Sequence, residues 1–123
     1  MINYLLQRFS WTVVKIYFTR KEYHIFLEKL ERHEANYGLA PYQHVMRAVA
    51  LLINGSYKES ADLFQKMYGI LENYKNPDEE YLRLYCKSNI LALKGQVDCS
   101  QQFEEEMMNI RCNPELVRIL PYR

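Results

Sequence analysis

Sliding the chain against itself by forty residues superimposes Gly55 on Gly95, Leu51 on Leu91, Ser60 on Ser100 and Met67 on Met107, and sets Lys87 on Arg47. A period of that length marks a supersecondary unit repeated in tandem. Each unit reads as a helix, a glycine-containing turn and a second helix, and such a hairpin buries its apolar face only against a neighbour. The register is imperfect. Phe64 falls on Glu104, next to Phe103, and the second turn, Gly95-Gln96-Val97-Asp98, reads as two residues longer before its cap. The expectation is an all-α fold of stacked antiparallel helix hairpins, six to seven helices in a single domain over residues 1–123, arranged as a solenoid-like array or a compact bundle.

Composition agrees with this expectation. With 49% hydrophobic and 14% aromatic residues the chain has apolar surface enough for a core, and four Gly and four Pro leave few breaks between long helices. Helix starts are marked by a short polar residue followed three positions later by Glu or Gln, the pattern of a capping box. Thr19-Arg20-Lys21-Glu22 fits it, with Phe18 and Tyr23 placed as a hydrophobic staple. So do Ser56 with Glu59, Asn76-Pro77-Asp78-Glu79, and Asp98 with Gln101, while Asn113-Pro114-Glu115 opens a short last helix and Pro41 sits in the first turn of another. Gly38, Gly55 and Gly95 follow helical runs, where a left-handed end favours glycine.

Between these signals the apolar residues keep a helical period. Ile2, Leu5, Leu6, Phe9, Val13, Ile16 and Tyr17 share one predicted face; Tyr23, Phe26, Leu27 and Leu30 share another. Tyr57, Ala61, Phe64, Met67, Tyr68, Leu71 and Tyr74 form a third stripe opposite Lys58, Asp62, Gln65, Lys66 and Asn73. The stretch 45–53 is apolar nearly all round except for Arg47 and predicts a central helix. Residues 11–18 are read as helix, although their β-branched and aromatic content would also suit an edge strand.

The run Gly55-Ser56-Tyr57-Lys58-Glu59-Ser60-Ala61-Asp62-Leu63-Phe64-Gln65-Lys66 resembles the turn and second helix of a tetratricopeptide repeat. In that register Ser60 takes the place of the family's small Ala, Phe64 that of its aromatic, and Ala48 that of the small residue on the first helix. Arg47 stands where the family has Leu, His44 where an aromatic is common, and the closing proline comes late, at Pro77. The period of forty also exceeds the family's thirty-four. The resemblance runs loosely over residues 41–110 and implies helical-hairpin packing with first helices that line a groove.

Chemistry-bearing motifs are sparse. His24, His33 and His44 follow no metal-ligand spacing, and there is no phosphate loop or nucleophile elbow. His33, in Glu31-Arg32-His33-Glu34, reads as a surface helix terminus; His24 lies near the Tyr23 and Phe26 stripe. Cys86, Cys99 and Cys112, with twelve residues between neighbours, form no pair readable from spacing and are expected to be small buried hydrophobes in a reducing compartment. No cofactor and no metal are predicted. Arg8 and Lys15 interrupt the apolar start, no small-residue cleavage site follows, and no uncharged run approaches the roughly 18 residues of a membrane span, so a cytoplasmic location without membrane association is expected.

Two surface features point to a protein partner. Glu104, Glu105 and Glu106, with Asp98 nearby, form an acidic stretch in a half of the chain that carries ten acids against eight bases from Asp62 onward. Such a surface steers a basic partner. Among eleven tyrosines, Tyr42, Tyr81, Tyr85 and Tyr122 are expected to be partly exposed, by analogy with groove-lining first helices. The overall charge of +1 argues against nucleic acid. The sequence therefore predicts a non-enzymatic protein-binding module. By size and class it resembles a small bacterial immunity protein that neutralises a basic, nuclease-like toxin domain; an adaptor or chaperone of the tetratricopeptide type is the first alternative. A helical-bundle enzyme or ligand-binding protein using the histidines is the second.

Overall fold

A computed structural model describes residues 2–122. Its helices are α1 (Ile2–Thr19), α2 (Tyr23–Tyr37), α3 (Pro41–Ile53), α4 (Tyr57–Ile70), α5 (Pro77–Leu93), α6 (Val97–Met108) and α7 (Pro114–Ile119), with a 3-10 turn at Leu71–Asn73. Residues 11–18 are helical, and no strand occurs among the described residues. The helices pair as α1/α2, α3/α4 and α5/α6, and α2 packs on α3 and α4 on α5, so the hairpins stack in chain order.

The turn that closes each hairpin repeats in detail. In the second hairpin the amides of Asn54, Gly55 and Ser56 donate to the carbonyls of Ala50, Leu52 and Leu51 at 3.0, 3.1 and 2.9 Å. In the third, Lys94, Gly95 and Gln96 donate to Ile90, Ala92 and Leu91 at 3.2, 3.0 and 2.9 Å. Gly55 and Gly95 lie at φ 87° and 79°, in the left-handed region that reverses the chain. The two turns are equally long, contrary to the sequence expectation, because Gln96 and not Asp98 flanks the second helix; Asp98 is already inside α6.

The first hairpin uses the same turn with a different residue. Arg20, Lys21 and Glu22 donate to Ile16, Phe18 and Tyr17 at 2.9, 3.0 and 2.9 Å, and Lys21 takes the left-handed position at φ 63°. Thr19 therefore ends α1 instead of capping α2, and its hydroxyl donates back to the Lys15 carbonyl. Position 21 precedes Gly55 by 34 residues, so the array has three units, the first hidden in the sequence because lysine stands where glycine marks the others. The spacing lengthens to forty between the second and third units because of the 3-10 turn and a longer α5, 17 residues against 13 in α3.

The predicted caps hold where the chain enters a helix from extended backbone. Asn76, at φ −151° and ψ 166°, accepts from the Glu79 amide at 2.9 Å and donates to the Glu79 carboxylate. Asn113 accepts from the Glu115 amide, and Pro41 opens α3 with Gln43 accepting from the Ala40 amide at 2.7 Å. Ser56 does not cap, since the tight hairpin turn holds its ψ at 64° and its side chain cannot fold over the first turn.

Close helix crossing depends on small residues at repeated positions. Ser60 donates to the Ala48 carbonyl at 2.6 Å; forty residues on, Ser100 donates to the Ser88 carbonyl at 2.9 Å. Around these crossings Phe26, Leu30, Val45, Met46, Phe64, Met67 and Met107 are buried; of the stretch 45–53 predicted to be central, Val45, Met46, Ala48 and Ala50 are buried, whereas Leu51 and Leu52 are half-buried and Ile53 at its end is 54% exposed. The predicted α1 stripe is not the buried face. The buried residues of α1, Val14 and Phe18, lie outside it, whereas its Ile2, Leu5, Leu6, Phe9 and Ile16 are 42–75% exposed, because a different face of α1 packs on α2. Tyr57 and Tyr74 also lie outside the core. Cys86 is buried and Cys112 half-buried, but Cys99 is exposed on the first turn of α6, whose apolar face is set by Ser100, Phe103 and Met107.

The three turns give a direct test. Lys21→Gly is expected to stabilise the chain by about 0.5–1 kcal/mol by removing left-handed strain. Gly55→Ala and Gly95→Ala, where an added Cβ meets no atom within 4 Å, should each destabilise by about 1 kcal/mol for conformational reasons alone. Urea titrations of the three variants check both signs.

Candidate partner-binding groove

The first helices of the three hairpins, α1, α3 and α5, line a common groove, and the chain's C-terminal segment lies in it. Leu116 and Leu120 are buried there, 8% and 0% exposed. The Tyr81 hydroxyl donates to the Leu120 carbonyl at 2.6 Å, and the Tyr122 ring packs edge-on to Tyr81 at 6.4 Å. At the other end of α7 the Asn113 amide donates to Asp78 at 2.7 Å, and Lys15 of α1 reaches Glu115 at 3.0 Å. Burying two leucines contributes about 1.5–3 kcal/mol each. The Lys15–Glu115 pair, which water screens, fixes orientation more than it adds strength.

This arrangement corrects the tyrosine predictions. Tyr42 and Tyr122 are half-buried as expected, but Tyr81 and Tyr85 are 0% and 9% exposed. Both do stand on a groove-lining first helix; the sequence reading missed that the chain supplies its own occupant. Burial and the neighbouring Tyr85 push the Tyr81 hydroxyl well above the ordinary phenol range, keeping it a donor to Leu120.

The segment fills only part of the groove. Beside it an open cleft of about 660 Å³ is walled by Phe18, Tyr23, Val49, Ile53 and Tyr85, with Ile119 and Pro121 of the segment along one edge. Lys15, Lys21 and Arg118 rim it against one carboxylate, Glu115, which Lys15 holds below the usual carboxylate range. An apolar floor under a cationic rim suits a segment with a large apolar side chain and an adjacent acid.

The acidic residues on α6 do not converge. Glu104 is half-buried and faces Tyr85, Ser88 and Tyr122; Glu106 borders a separate depression with Glu80, Arg83 and Arg111; Glu105 and Asp98 are exposed. Consecutive helical residues diverge by about 100°, so three in a row cannot share one face.

The histidines are likewise apart in role. His33 is not at a helix end: α2 runs on to Tyr37, and the ring is 2% exposed, sharing a 2.8 Å hydrogen bond with Ser10 and packing against Trp11 and Tyr37. His44 is half-buried with Nδ1 unpartnered, near the Arg47–Glu34 ion pair at 2.7 Å. His24 is exposed, 3.4 Å from Glu28. No cluster of three or more His, Cys, Asp or Glu that suits a metal ion occurs among the described residues.

Burial lowers the pKa of His33 and, together with Arg47, that of His44. Both are neutral in the fold yet protonate in the unfolded chain near the ordinary value of about 6.5. The unfolded state then binds more protons, so this contribution is full at about pH 7.5 and is lost as pH drops through 6.5; on the alkaline side burial raises the Cys86 thiol, so stability falls again as pH rises past the ordinary thiol range. Glu34 and Glu115, held low by their cations, add a further loss only below about pH 4.5. Urea midpoints between pH 8 and 5 should show the first fall, reduced in His33→Asn.

No family model, no curated protein and no solved structure matches this chain in the comparisons made with it.

Proposed function

We propose that the chain is a non-enzymatic protein-binding module that receives a partner segment in its inner groove. The observation that carries this reading is the half-filled groove: an open cleft of about 660 Å³, floored by aromatic and aliphatic side chains and rimmed by Lys15, Lys21 and Arg118. The three-unit hairpin array, with its first spacing of 34 residues, supports a kinship with tetratricopeptide adaptors.

A second form of the same reading is a small immunity protein that covers a basic toxin domain. What favours it is the exposure of Asp98, Glu105 and Glu106 on the outer helix α6, away from the cationic cleft. The two forms use different faces and separate in one experiment. Capture of a stoichiometric partner by the tagged chain should fall at least tenfold with Ile53→Asp and Arg118→Glu combined, both exposed positions at the cleft. Capture should survive Glu105→Lys with Glu106→Lys. The reverse pattern selects the immunity form, and a folded wild-type chain that captures nothing removes both.

A further inference from the structure

We infer that residues 113–122 are an exchangeable occupant of the groove, and that the partner this site takes is a short amphipathic helix with the same chemistry: an acid at its start and two large aliphatic side chains four residues apart. This rests on the binding-module reading and specifies its ligand. The resident segment is the template. Glu115 meets Lys15 of α1, Leu116 and Leu120 are the buried anchors, and the Leu120 carbonyl meets the Tyr81 hydroxyl of α5.

Three features make the segment separable from the array. Its helix is six residues long, so it cannot hold its shape without the groove. Beyond the contacts of Tyr81 with the Leu120 carbonyl and the Tyr122 backbone, the bonds of Lys15 to Glu115 and of Asn113 to Asp78 are exposed to water. It follows α6 through an irregular connection, 109–113, with Asn109, Arg111 and Asn113 exposed, and takes no part in the hairpin pairing that builds the three units. Lifting it would uncover Tyr81, Leu82 and Tyr85 and join the site to the open cleft beside it. The array would remain, because α5 stays packed on α4 and α6.

The test uses the full chain and an end-blocked fluorescent peptide with the sequence of residues 112–122. In the wild-type chain the tethered segment competes, and peptide binding is weak. Leu116→Ala with Leu120→Ala loosens the resident and should bind the peptide at least tenfold more tightly by fluorescence anisotropy, with Tyr81→Phe in that background weakening it severalfold. Glu115→Lys, an exposed change that leaves the anchors in place, should raise binding a few-fold and serves as the second arm if the double variant does not fold. Equal binding by all folded variants, or none, overturns the proposal. A concentration-dependent dimer of the wild-type chain that peptide does not dissociate also overturns it, in favour of a second copy as occupant. Failure here with cleft-dependent capture of a natural partner leaves the binding module standing and removes only the exchangeable segment.

Discussion

Everything in this fold rests on how closely the two helices of a hairpin can cross. At the second and third crossings a serine on the second helix stands over a small residue on the first and donates to its carbonyl: Ser60 to Ala48, Ser100 to Ser88. A larger side chain at any of the four would push the helices apart, and the stacking of the next hairpin would lose its surface. The hydrogen bonds contribute only about 1 kcal/mol each, but leaving a buried hydroxyl unpaired would cost more than making the bond gains. Geometry is therefore set by a contact whose own strength is modest. In the first hairpin the larger Val14 and Phe26 stand at the corresponding positions, 34 residues before Ala48 and Ser60, and both are buried.

Legibility in the sequence followed the source of each constraint. Gly55 and Gly95 announce their turns because the left-handed position is where glycine is cheapest, and Asn76 and Asn113 announce their helices because an extended approach lets a side chain cap. Lys21 hides the first turn for the converse reason: the same backbone is imposed on it by the packing on either side, and propensity gives no sign of it. Residues 11–18 were ambiguous by composition and are settled by pairing with α2, a tertiary contact. The α1 stripe shares a face that the fold leaves largely uncovered, since periodicity states which residues share a face and not whether anything covers that face.

The candidate site shows the same division. Of the four tyrosines expected to be partly exposed by analogy with groove-lining helices, Tyr42, Tyr81 and Tyr85 stand on such helices, Tyr122 follows α7, and Tyr81 and Tyr85 are buried. Their burial depends on Leu116 and Leu120, more than thirty residues beyond them, and no local pattern links the two sets. The acidic run on α6 illustrates the opposite error, in which adjacency in the sequence suggests a patch that helical rotation disperses. His33 was misjudged because a charged neighbourhood, Glu31, Arg32 and Glu34, surrounds a ring whose own direction is inward, toward Ser10 and Trp11.

The contacts of the groove differ from those of the array in one further respect, their distance along the chain. The serine bonds that lock the hairpins join residues twelve apart, whereas the Lys15–Glu115 contact joins residues one hundred apart. Short loops close early and cheaply; long ones wait on the rest of the structure. As the chain leaves the ribosome, each hairpin can therefore assemble on its predecessor as soon as its own two helices have emerged. The groove is complete before its occupant is free to enter it. Until the residues that follow α6 have emerged, the nascent molecule presents an inner surface with nothing yet there to fill it.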